Sequence, residues 1–149
     1  MTPRSAAEQA DHLSRRRARV LPVLAILYLS QQASFFADAG SGDRPVDHVK
    51  VGAWVVLSLV LLAALATKGF WLHRREVRDM IDDETTRAHR SEALGWGFII
   101  AILGAIALYF VSMFEPLGAR EAIHVIVSLG LAAALVRFGM LERRALRDA

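Results

Sequence analysis

Glu121 and His124 stand three residues apart in the run EAIH, on one face of any helix that carries them. Glu-x-x-His is the spacing with which helical bundles hold carboxylate-bridged metal ions. Histidine also changes charge near neutral pH, so His124 is equally a candidate proton sensor. Other polar residues gather at the ends of apolar runs: Ser30, Gln31, Gln32 and Ser34 close one, Asp47 and His48 open another, and Glu115 precedes a turn at Pro116 and Gly118. A di-metal bundle uses two Glu-x-x-His helices and two further glutamates. One such motif is present, so a hydrogen-bonded carboxylate and imidazole is preferred to a metal site on Glu121 and His124.

The elements that position these residues are apolar. Of 149 residues, 54% are hydrophobic, and four blocks are almost free of charge: 20–37, 51–67, 93–114 and 122–136. A helix needs about 20 apolar residues to cross the hydrocarbon of a bilayer. The third block has 22. The second reaches that length if Lys68 snorkels to the interface, and the fourth reaches residue 141 if Arg137 does. A soluble bundle would place polar residues at every third or fourth position, and AWVVLSLVLLAALA has only Ser58. The expected fold is therefore all-α: a polytopic membrane protein, with an antiparallel bundle of four spans at about 20–38, 51–72, 93–114 and 122–141. A basic segment (1–19) precedes it and a tail (142–149) follows. With no cysteine, disulfides and thiolate chemistry are excluded.

Charge sets the expected orientation. Fifteen of the 18 basic residues precede the first block, join the second to the third, or follow the fourth. Only Arg44, Lys50 and Arg120 lie in the other two connections. The positive-inside rule then puts both termini in the cytoplasm of a bacterial inner membrane. It also explains the net charge of +3 without nucleic acid, which is not an expected direct partner. The start, SRRRARVLPVLAILYLSQQASFFADAG, shares its basic-then-apolar order with secretory signals, but a retained first span is favoured because further spans follow. Topology brings Gln31, Gln32, His48, Glu121 and His124 to the outer face as one polar cluster.

On the cytoplasmic side, the connection 73–92 reads as a helical hairpin. It has no glycine or proline until Gly95. Asp82 or Asp83 suits the N-cap of the next helix, and Glu84 in its first turn complements the helix dipole. Glu84 and Arg87 can pair along one face, worth about 0.2–0.5 kcal/mol. Capping accounts for the acids cheaply. The sharper reading makes Asp82, Asp83, Glu84, Arg87 and Arg90 a docking post for a cytoplasmic partner. MIDDETTRAHRSEALGWGF resembles a D-E-x-x-R-x-x-R-x-x-A-x-x-x-G-F pattern in small four-helix bacterial inner-membrane proteins, matched at Asp83, Glu84, Arg87, Arg90, Ala93, Gly97 and Phe98. That resemblance covers about 20 residues and implies topology without an activity.

Gly97, Ala101 and Ala105 form one small-residue row, and Gly130 and Ala134 another. Such rows let membrane helices approach closely, here within the bundle in preference to a second copy. Trp54, Trp71, Trp96, Tyr109 and Phe114 fall near the span ends, as interfacial belts do. No phosphate loop or nucleophile elbow is present, and no span centre carries an acid or base. The leading expectation is thus a non-enzymatic protein without cofactor, acting by contact through its hairpin. The alternatives are a small transporter or channel-forming oligomer and a membrane metal-binding protein. The expected partners are the lipid bilayer, a cytoplasmic protein and a second copy.

Overall fold

The computed structural model describes residues 6–37, 45–67 and 84–148, with side chains described for 15–16, 19–32, 49–67 and 84–148. The described residues form four α-helices: α1 (Ala6–Ala37), α2 (Pro45–Ala66), α3 (Glu84–Ser112) and α4 (Ala119–Asp148). Three helices are long and apolar enough to cross a membrane: α2 over Val49–Ala66, α3 and α4. Every helix begins before its apolar block, because arginine, glutamate, lysine and alanine continue a helix about as readily as leucine. Pro22 consequently sits well inside α1 rather than at a helix start.

The centre of the fold is α4. Half of its apolar window is buried, against 17% for α2 and 6% for α3. Its small residues explain this. A Cβ on Gly130 would lie 2.9 Å from Ala101 Cβ and 3.1 Å from the Gly97 carbonyl oxygen. A Cβ on Gly97 would meet the Gly130 carbonyl oxygen at 2.7 Å and Ala134 Cβ at 2.8 Å. The expected small-residue rows therefore form the seam between α3 and α4, backbone against backbone. Farther along α4, Gly139 leaves room for the Pro22 ring of α1, which a Cβ would meet at 2.8 Å. Leucines and aromatics fill the rest: Leu61 and Leu65 of α2, Ala93 of α3, and Leu131, Leu135 and Phe138 of α4 belong to one core with Ala25 and Tyr28.

The outward surfaces are greasy. Val55, Val56, Leu59, Val60 and Leu62 of α2 are exposed, as are Ile99, Ile102, Leu103 and Ile106 of α3. Phe98 and Tyr109 are each 67% exposed. An apolar surface continuous along whole helices exceeds what a soluble monomer presents to water. Serine and threonine on these helices silence their hydroxyls locally: Ser30 Oγ donates to the Ile26 carbonyl at 2.9 Å, Thr67 Oγ1 to Ala63 at 2.5 Å, and Ser112 Oγ to Tyr109 at 2.7 Å.

Candidate functional site

Polar side chains from α1, α2 and α4 meet in the apolar interior. Tyr28 of α1 is central and only 2% exposed. Its hydroxyl lies 2.7 Å from Ser58 Oγ of α2 and 3.5 Å from Ser128 Oγ of α4. The Trp54 indole N–H of α2 donates to Tyr28 Oη at 3.0 Å, with Ser128 Oγ a second acceptor at 3.3 Å. The Trp54 ring stacks on His124 of α4, centroids 4.1 Å apart and planes inclined by 22°. The His124 Nε2–H donates to Gln32 Oε1 of α1. The Gln32 amide nitrogen in turn donates to the Tyr28 carbonyl at 3.3 Å, which fixes the orientation of the amide oxygen.

Local sequence produces this arrangement. Tyr28 and Gln32 are four residues apart on α1, and His124 and Ser128 four apart on α4, so each pair shares a helix face. The two helices run antiparallel, with Pro22 against Gly139, Tyr28 near Ser128 and Gln32 at His124. A phenol hydroxyl offers one donor and two acceptor positions, and Tyr28 meets three groups, so its capacity is filled. Leaving such a group unpaired in the interior costs about 1–3 kcal/mol. The network thus joins three helices through neutral groups. Tyr28, Ser58 and Ser128 bring three neutral hydroxyl oxygens together, and Gln32 adds an amide oxygen at His124; oxygens of this hard type replace water around alkali and alkaline-earth cations.

Of the expected outer cluster, Gln32 and His124 come together. Gln31 is exposed, and the side chain of His48 lies outside the described residues. Glu121 has another task. Its carboxylate accepts from the Gly118 backbone N–H at 3.2 Å, while the Gly118 carbonyl accepts from Ala122 N–H at 3.1 Å, which caps α4. Among the described residues, no group of three or more histidine, aspartate and glutamate side chains is placed to hold a metal ion. Tyr28, Ser58, Ser128 and Trp54 were not candidates from sequence. Trp54 is half-buried, with its ring on His124; Trp71 lies outside the described residues.

A second polar cluster joins α3 to the other end of α4. His89 Nδ1 lies 3.2 Å from Glu142 Oε1, and Glu142 is buried at 6% exposure. Arg137 donates from Nε to Glu92 Oε1 at 3.1 Å, with a second contact through its terminal nitrogen. The Arg137 guanidinium also covers the Trp96 ring at 5.5 Å, so it is held across the helix pair rather than stretched along α4. Of the docking candidates, Glu84 and Arg87 are exposed in the first turn of α3 and Arg90 is half-buried. Asp82 and Asp83 lie outside the described residues.

All-helical structure, long apolar helices and outward apolar faces are the marks of a membrane protein. Similarity to known proteins agrees. The chain is 30% identical over 140 residues to a protein of Geobacter sulfurreducens described as probable potassium transport system protein Kup 1. The match covers 83% of this chain and 22% of that protein, so the chain spans about a fifth of its relative's length. No protein-family model and no solved structure matches.

Proposed function

We propose that the chain is a polytopic bacterial inner-membrane protein of transport type, with four spans and both termini cytoplasmic, through which a monovalent cation such as potassium passes. The observation that carries this is the polar network of Tyr28, Ser58, Ser128, Trp54, Gln32 and His124, enclosed by helices whose outer faces are apolar. Its neutral oxygens can substitute for part of a cation's hydration shell, as carbonyl oxygens do in selective channels. The likeness to a potassium transport protein favours this over the contact role expected from sequence. α1 supplies the remaining span, and the connection between α2 and α3 lies on the cytoplasmic side. Lipid or a second copy covers the outer faces of α2 and α3.

Purified protein reconstituted in proteoliposomes, with a potassium-sensitive dye inside, tests the proposal. Potassium entry above that of empty vesicles is expected, and a Tyr28→Phe/Ser128→Ala variant should lower it at least tenfold. Flux equal to empty vesicles, from protein shown to be inserted, would remove the reading. Exposed Glu84 and Arg87 favour one second role, contact with a cytoplasmic protein. An Arg87→Glu/Arg90→Glu variant that copurifies the same partners as the wild type would count against it.

A further inference from the structure

We infer that the C-terminal end of α4 and the facing half of α1 form a binding surface for an anionic phospholipid. The inference rests on the reading that the chain spans a membrane. It starts from register. Pro22 and Leu21 of α1 pack on Gly139 of α4, and the helices are antiparallel, so stepping away from that contact moves down both helices to the same level. On α1 the step passes from exposed Val23 and Val20 to exposed Arg19, Arg16 and Arg15. On α4 it passes from exposed Met140 to exposed Arg143, Arg144 and Arg147. The change from apolar to cationic surface therefore occurs on two neighbouring helices at one depth.

Two acids of α4 lie at this end. Glu142 is buried and turned to His89 of α3, and Asp148 stands at the tip of α4. Six exposed arginines surround one junction of α1 and α4. Guanidinium groups match phosphate in planar, paired hydrogen bonds. Just above them, Val20, Val23, Ile26 and Met140 offer the apolar surface that the same molecule's acyl chains need. Headgroup and chains are complemented together, which commits the surface to a lipid in preference to a free phosphate ion. Basic surfaces at the cytoplasmic ends of membrane helices bind anionic headgroups in this way.

The wild type is reconstituted into vesicles of equal phosphatidylglycerol and phosphatidylcholine, extracted in mild detergent, and its retained lipid counted by native mass spectrometry. Phosphatidylglycerol should exceed phosphatidylcholine at least fivefold, roughly the gain from a single arginine near an anionic surface. An Arg16→Gln/Arg19→Gln/Arg143→Gln/Arg144→Gln variant of unchanged helicity should lose that preference. The matching four-lysine variant should keep most of it, and Arg120→Gln, at the other end of α4, all of it. Equal retention of both lipids by the wild type, or an undiminished preference in the glutamine variant, would overturn the inference. So would release of the lipid by 10 mM inorganic phosphate. Insertion into pure phosphatidylcholine vesicles tests the spanning reading separately, since failure there would sink both.

Discussion

The two polar clusters of α4 are built on opposite principles. Near its N-terminus, Tyr28, Ser58, Ser128, Trp54, Gln32 and His124 meet through hydrogen bonds alone, and most of their polar atoms are buried. Near its C-terminus, Glu92 and Arg137 pair as formal charges while their side chains stay 43% and 29% exposed. Depth accounts for the contrast. Full charges are costly in a low-dielectric interior unless they are paired and hydrogen-bonded, whereas neutral groups need only their partners. His89 and Glu142 lie between these extremes, a buried carboxylate answered by an imidazole. The neutral cluster can therefore sit among lipid-covered helices, and the charged one belongs where water reaches.

The seam between the clusters is where the comparison breaks most completely. Gly97 and Gly130 hold α3 and α4 so close that a side chain on either meets both a backbone carbonyl and an alanine Cβ, neither of which can swing away. Gly130→Leu should destabilise the fold by about 3 kcal/mol, the upper range for overpacking. It should release both the His89–Glu142 and the Arg137–Glu92 contacts. The unfolding midpoint of the detergent-solubilised protein reads this, and an unshifted midpoint would mean that α3 is not seated on α4 as described. Tyr28→Phe should cost less, about 1–2 kcal/mol, because it removes the hydroxyl shared by Ser58 and Trp54 while the ring still fills its place. Ser128→Ala should cost about 0.5 kcal/mol, because Trp54 keeps Tyr28 as its nearer acceptor. A reversed order of these two variants would move the centre of the network from Tyr28 to Ser128.

The seam was legible from sequence, and the neutral cluster only in part. Gly97, Ala101, Gly130 and Ala134 announce themselves because close helix approach requires small residues at a four-residue spacing, and both rows fall in the same pair of helices. Gln32 and His124 stood out as polar groups near the ends of apolar runs. Tyr28, Ser58 and Trp54 did not, since each is compatible with an interface or a locally satisfied hydroxyl. What makes them a cluster is a meeting of three helices that no local spacing encodes. The four-residue intervals Tyr28–Gln32 and His124–Ser128 were the available sign. Glu121 shows the converse. Its spacing to His124 suggested shared chemistry, but the helix begins only two residues earlier, at Ala119, and its carboxylate serves the Gly118 cap.

The mildest test separates the clusters by their response to salt. Glu92 and Arg137 are partly exposed, so their attraction is screened as the Debye length falls from roughly 10 Å at 0.1 M to 3 Å at 1 M salt. Hydrogen bonds between buried neutral groups have no such dependence. Glu92→Gln should therefore cost about 0.5 kcal/mol at low salt, the scale of a partly exposed pair, and nearly nothing at 1 M. Tyr28→Phe should cost the same at both. Unfolding midpoints of the wild type and the two variants at both salt concentrations give the comparison directly. If the Tyr28→Phe deficit shrank with salt as the Glu92→Gln deficit does, the N-terminal cluster would be answering to charge, and the division between a neutral interior network and a wet ionic one would not hold.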